Sequence, residues 1–127
     1  MSYESRIYIV KKTTLKDDPK DGGRFFGMKI AEFNMRIFSF LSDKLREQPV
    51  ANCYVFADDG STKILEDKYG KPLTEATPGY VIALLEKYIS DGGDYRRAFP
   101  LLAFLKSLDE HKQQWEADEI VVLHYGY

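Results

Sequence analysis

The order of strand-like and helix-like segments constrains the fold of this chain more than any other feature. Runs rich in β-branched and aromatic residues with alternating apolar side chains predict strands, and apolar residues three and four positions apart predict amphipathic helices. The predicted order is β-β-α-β-β-α-α-β, with strands at residues 6–13, 26–36, 50–57, 62–66 and 119–125 and helices at 38–48, 78–90 and about 100–115. Because the helices do not alternate one for one with the strands, the order favours an α+β fold, with a mostly antiparallel sheet and the helices packed on one face.

Turn and cap residues set several boundaries between these segments. Gly60, in an Asp-Asp-Gly-Ser sequence between two strand-like runs, predicts a tight hairpin, and residues 69–72 predict a second turn. Thr77 followed by Pro78 is a typical helix start. Pro100 disfavours helix at the residue before it and can itself begin one, so the next helix is predicted to start there.

Length and composition indicate one ordinary globular domain spanning residues 1–127. The mass is 14.7 kDa, 44% of the residues are apolar and 30% are charged, which excludes a disordered chain. A single cysteine, Cys53, excludes an intramolecular disulfide and a cysteine-rich zinc site. No apolar run approaches the ~18 residues of a membrane span, and the N-terminus lacks a signal-peptide pattern. We therefore expect a cytoplasmic protein with no membrane contact.

Chemistry-bearing motifs are missing from the sequence. It contains no phosphate-binding loop, no dinucleotide fingerprint and no Gly-x-Ser-x-Gly element, so we predict no cofactor and no catalytic residue, and we favour a non-enzymatic role. Cys53 stands in mid-strand and is predicted to be a buried structural thiol. Four acidic residues near the predicted hairpin do not follow a calcium-loop pattern, so no metal site is predicted. These are Asp58, Asp59, Glu66 and Asp67.

Two segments are the best candidates for binding. Tyr95, Arg96 and Arg97 place two guanidinium groups beside an aromatic ring, a set that binds carboxylates, phosphates or an acidic protein face. The alternative is that the arginines cap the preceding helix or pair with nearby aspartates. The second segment contains His124, Tyr125 and Tyr127. These residues either belong to the sheet or form an exposed contact surface.

Some of the aromatic residues are further candidates for contacts at the surface. Aromatic residues make up 14% of the chain, and the predicted core faces of strands and helices account for most of them. Five tyrosines remain without a predicted core position and are candidates for surface contacts. They are Tyr3, Tyr69, Tyr95, Tyr125 and Tyr127.

Four segments resemble small uncharacterised accessory proteins encoded by phages and prophages of Gram-positive bacteria. They are residues 5–13 (SRIYIVKKT), 30–35 (IAEFNM), 53–73 (CYVFADDGSTKILEDKYGKPL) and 123–127 (LHYGY). The resemblance spans most of the chain and includes no catalytic motif, so it assigns no functional residue. It implies a host-interaction or defence-modulating role.

Three functions remain open from the sequence. The first is a non-enzymatic protein that binds another protein, with homo-oligomerisation as a further option. The second is a binder or enzyme for a small phosphorylated or anionic ligand that uses Arg96, Arg97 and His124. The third is nucleic-acid binding by the first 50 residues, which carry a net charge of +3. The overall net charge of −2 makes this third function the least favoured. The basic residues that would contact the nucleic acid are Lys11, Lys12, Lys16, Lys20 and Arg24.

Overall fold

The structure is a computed structural model that describes residues 4–16, 24–36, 39–110 and 120–126. Within these ranges the chain forms six strands and three helices. They are β1 (Glu4–Lys16), β2 (Phe25–Arg36), α1 (Ser39–Arg46), β3 (Cys53–Phe56), β4 (Lys63–Ile64), β5 (Thr74–Ala76), α2 (Pro78–Ser90), α3 (Tyr95–Glu110) and β6 (Ile120–Gly126).

The six strands form one sheet in the order β4-β3-β2-β1-β6-β5. Neighbouring strands are antiparallel except β2 and β3, which run parallel where Phe25 is opposite Cys53 and Phe26 is opposite Tyr54. The predicted α+β class with a mostly antiparallel sheet is confirmed. The parallel contact was not predicted.

All three helices pack on one face of the sheet, as predicted. Ile7 and Ile9 of β1 and Val122 of β6 project from this face into a core that also contains Leu41 of α1 and Leu85 of α2. The alternation of apolar side chains along β1 and β6 explains the arrangement, because successive residues of a strand point to opposite faces.

The opposite face of the sheet curls around a second, smaller core. Tyr8, Val10 and Leu123 project into it, and Val55 of β3 covers them. Residues 49–52 complete the curl, since they hydrogen bond to β5 and its preceding residue on one side and to Phe25 of β2 on the other. Both faces of the central strands are therefore buried.

Two features of the sheet differ from the prediction. β5 was not predicted, because three residues show no alternation and its pairing partners are distant in sequence. β2 was predicted to alternate without a break, but its register with β1 shifts between Ile9 and Val10. Ile9 pairs with Ala31 and Val10 with Lys29, which leaves Ile30 as an extra residue.

The third helix begins one turn earlier than predicted, at Tyr95 rather than near Pro100. Asp94 caps it, because its Oδ1 accepts a hydrogen bond from the Arg96 N–H at 3.0 Å and its carbonyl oxygen accepts from Arg97 and Ala98. This cap and the burial of Ala98 outweigh the local bias that Pro100 imposes. Residues 111–115 of the predicted helix lie outside the described residues.

The other predicted turn and cap are confirmed. The Thr77 side chain accepts a hydrogen bond from the Tyr80 N–H at 3.2 Å, and Pro78 is the first residue of α2. Between β3 and β4, the Ala57 N–H donates to the Thr62 carbonyl at 2.8 Å, and Gly60 has a φ of 74°. A positive φ of this kind favours glycine.

Candidate functional site

A cavity of about 550 Å3 lies where the end of α1, the turn after β4 and the ends of β5 and β6 meet. We call it the His124 pocket. Its volume falls within the range of ~300–1,000 Å3 that is typical of small-ligand sites. Residues from four separate parts of the chain line it. They are Arg46, Gln48, Val50, Asp67, Tyr69, Lys71, Pro72, Thr74 and His124.

A hydrogen-bonded turn forms one wall of the His124 pocket. The Asp67 carboxylate accepts hydrogen bonds from the N–H groups of Tyr69 and Lys71 at 2.8 and 3.1 Å. The Lys68 N–H donates to the carbonyl of Gly126 at 3.1 Å, which ties the turn to the end of β6. These contacts fix the wall without any ligand.

The end of α1 forms the facing wall. The Thr74 hydroxyl of β5 donates to the Leu45 carbonyl at 2.6 Å, and the Gln48 N–H donates to the same carbonyl at 3.2 Å. The last turn of a helix leaves carbonyl groups without intrahelical partners, and these two donors satisfy one of them. They hold Arg46 and Gln48 beside the cavity.

His124 of β6 contributes a buried polar ring to this pocket. It is only 4% exposed, and its Nε2 shares a hydrogen bond of 2.9 Å with Oγ of Ser5 on β1. The pKa of His124 is lowered to about 4, mainly by burial and then by the positive charge of Arg46, while the negative charge of Asp67 partly opposes these two effects. His124 is therefore an uncharged imidazole near pH 7.

Ser5 and Cys53 are both poorly placed to act as nucleophiles. Ser5 is buried and does not line the cavity, so its hydroxyl orients the His124 ring rather than facing a substrate. Cys53 is buried as predicted, and its pKa is raised to about 12, first by burial and then by the charge of Glu75. A thiol with so high a pKa is a poor nucleophile.

Apolar side chains and positive charges meet at the pocket. Val50 and Tyr69 are 56% and 47% exposed, although both are large apolar groups. Arg46 and Lys71 supply two cations and Asp67 one anion. Apolar surface beside a few charged groups is typical of sites that bind small organic molecules.

The candidate residues of the sequence are distributed over three places. His124 lines the pocket, but Tyr95, Arg96 and Arg97 lie in the first turn of α3 and do not line it. The structure therefore does not bring Arg96, Arg97 and His124 together in this pocket. Tyr127 lies outside the described residues.

Tyr125 faces away from the His124 pocket, on the other side of β6. Its ring packs edge-on against Tyr8 with centroids 6.2 Å apart, and the guanidinium of Arg6 lies 5.6 Å from its centroid. These neighbours hold Tyr125 half-buried against the sheet. It is therefore not part of the same surface as His124.

The first turn of α3 presents an exposed pair of aromatic rings, which we call the α3 aromatic pair. Tyr95 and Phe99 are 54% and 46% exposed, and their ring centroids are 5.1 Å apart. They stand one helical turn apart, and Arg96 and Arg97 between them are exposed as well. The buried Ala98 anchors the opposite side of this turn.

Three of the basic residues proposed for nucleic-acid binding have described side chains, and none of the three is fully exposed. Lys12 points toward Glu75, with Nζ 2.9 Å from Oε2, and both side chains are largely buried. Lys11 and Arg24 are half-buried, whereas Lys20 and the side chain of Lys16 lie outside the described part of the chain.

Two of the four acidic residues near the hairpin, Asp59 and Asp67, accept hydrogen bonds within turns. Asp59 accepts hydrogen bonds from the N–H groups of Ser61 and Thr62, and bonds to the Thr62 hydroxyl and these N–H groups lower its pKa to about 2. Within the described ranges, no three His, Cys, Asp or Glu side chains come together where they could hold a metal ion.

Sequence reasoning missed most of the His124 pocket. It identified His124, the turn at residues 69–72 and Tyr69 as a tyrosine without a core position. It gave no sign that Arg46 and Val50 would lie beside them, because these residues are more than 70 positions from His124.

The chain matches no protein-family model, no curated protein and no solved structure. Among the residues that the structure describes, no helix has both the length and the apolar character needed to cross a bilayer.

Proposed function

We propose that this chain is a non-enzymatic binding protein that acts by holding another protein through the α3 aromatic pair. The observation that carries the proposal is the half-exposed pair of tilted rings, Tyr95 and Phe99, beside two exposed arginines. Tyrosine and arginine are enriched among the residues that dominate the binding energy of protein interfaces.

The geometry of the first turn of α3 suits such a role. Asp94 caps the helix, and its own N–H donates to the Tyr88 hydroxyl at 3.0 Å, so α2 holds the start of α3 in place. A rigid surface loses little conformational entropy on binding. The partner that fits is a protein with an apolar groove for the two rings and acidic groups for Arg96 and Arg97.

The test is capture of partners by the purified chain from a lysate of the organism that encodes it. The probe variant is Tyr95→Ser/Phe99→Ser, and the matched control is Met28→Ser, which removes another exposed apolar side chain, on β2. We expect one protein to be recovered in stoichiometric amount by the natural chain and by the control. The double variant should weaken its binding at least about tenfold, measured by calorimetry with the purified partner.

Two results would contradict the proposal. One is a partner that binds the double variant as tightly as the natural chain. The other is self-association, seen as a dimer of the purified natural chain in sedimentation velocity that becomes a monomer in the double variant. The host-interaction or defence-modulating role implied by the resemblance to phage and prophage proteins stays a prediction.

A further inference from the structure

We propose that the His124 pocket is a binding site for a small organic anion. The apolar part of the ligand packs against Val50, Tyr69 and Pro72, and its acidic group meets Arg46 and Lys71. This site is separate from the α3 aromatic pair, so either proposal can fail without the other.

Val50 and Tyr69 contribute exposed apolar surface to the pocket. Both are among the most exposed large apolar side chains of the described residues, and both belong to this one cavity. Exposed apolar groups that are scattered singly are ordinary, but a concave site that collects them favours a ligand with an apolar surface.

The charges of the pocket favour an anion. Among the described residues, no carboxylate forms an ion pair with Lys71. Arg46 lies 3.8 Å from Asp43 in a pair that is open to solvent, and such pairs contribute little and exchange readily. Lys71 is therefore available to a ligand, and the Arg46 side chain lines the same cavity.

The third charged group of the pocket does not cancel these two cations. The Asp67 carboxylate already accepts hydrogen bonds from the N–H groups of Tyr69 and Lys71 in its own turn. At the His124 ring, Arg46 lowers the pKa more strongly than Asp67 raises it. Two of the three formally charged side chains that line the pocket are cations, so the lining carries a net positive charge.

The size and rigidity of the pocket limit the ligand class. A volume of about 550 Å3 accommodates a molecule of one or two rings with an acidic group. The walls are fixed by the Thr74–Leu45 and Lys68–Gly126 hydrogen bonds, so the cavity exists before binding. A preformed site of this kind binds without a large ordering cost.

The probe for this site is 8-anilinonaphthalene-1-sulfonate, an aromatic anion whose fluorescence rises in apolar surroundings. The matched neutral probe is N-phenyl-1-naphthylamine, which has the same rings without the sulfonate. We expect one equivalent of the sulfonate to bind the natural chain. In Arg46→Gln/Lys71→Gln its Kd should rise about tenfold or more, whereas the Kd of the neutral probe should change less than about twofold.

Two controls separate this site from other apolar surfaces. Phe99→Ser alters the α3 aromatic pair and should leave sulfonate binding unchanged. Amide shift changes in NMR spectra of the natural chain should centre on Val50, Tyr69 and His124, a result that does not depend on how the variants fold. Equal sulfonate affinity in the folded charge variant, loss of binding in Phe99→Ser, or shifts centred on α3 would overturn the proposal.

Discussion

His124 shows how one buried side chain links the pocket to the stability of the fold. Its folded-state pKa is lowered to about 4, whereas an unperturbed histidine has a pKa near 6.5. Between these two pH values the unfolded chain binds a proton that the folded chain does not. The contribution of His124 is therefore fully present above pH ~6.5 and is lost as the pH falls toward 4.

We predict that His124→Gln removes this part of the pH dependence. Between pH 7.5 and pH 5, the free energy of unfolding of the natural chain should fall by about 2 kcal/mol more than that of the variant. Glutamine keeps a polar group opposite Ser5 but does not titrate. Urea unfolding at the two pH values measures the difference, and equal falls in both proteins would contradict the lowered pKa of His124.

At the scale of elements, the parallel contact between β2 and β3 depends on Gly27. A Cβ atom added at Gly27 would lie 2.9 Å from the carbonyl oxygen of Tyr54 on β3 and 3.4 Å from side-chain atoms of Val10 and Val55. The backbone oxygen cannot move away as a flexible side chain could. Because Gly27 has no side chain, β3 can pack closely against β2 and cover the second, smaller core.

We predict that Gly27→Ala destabilises the fold by about 1–3 kcal/mol, because β3 must shift away from β2. The matched control is Gly79→Ala in the first turn of α2, where an added Cβ meets nothing within 4 Å. The control should be neutral or slightly stabilising, because alanine favours helix more than glycine does. Thermal unfolding measures both, and equal midpoints would show that β3 tolerates the added methyl group.

Elements with strong local signals were predictable from the sequence, and those fixed by distant contacts were not. α2 carries its own cap at Thr77 and its own apolar stripe, so its start was predicted to the residue. β5 has three residues and exists because β6 pairs with one side of it and the segment at Val50 with the other. No local pattern encodes such a partner.

At the scale of the whole molecule, the same limit applies to the His124 pocket. Alternation along β6 predicted that His124 shares a face with Val122, and that prediction is confirmed. The pocket itself forms because α1 ends beside β5 and the turn at residues 67–71 docks on the end of β6. These are tertiary contacts between distant segments, and the local periodicity of the sequence does not reveal them.

The curl of the sheet also brings a buried ion pair together. Lys12 of β1 and Glu75 of β5 belong to strands that are separated by β6. Their side chains nevertheless meet, on the face of the sheet opposite the helices. They are only 14% and 20% exposed, and Nζ of Lys12 lies 3.3 Å from Oε1 and 2.9 Å from Oε2 of Glu75. Removal of one partner would leave the other charge largely buried.

We predict that Lys12→Met destabilises the fold by about 2–4 kcal/mol and that Lys12→Met/Glu75→Leu recovers most of this loss. The physical reason is that the single change leaves the Glu75 carboxylate without its cation, whereas the double change leaves no charge at all. The matched control is Lys106→Met, which breaks the exposed Lys106–Glu86 pair and should change stability by less than about 0.5 kcal/mol. Urea unfolding of the natural chain and the three variants measures these differences in stability. If Lys12→Met cost no more than Lys106→Met, the ion pair would not stabilise the curled sheet.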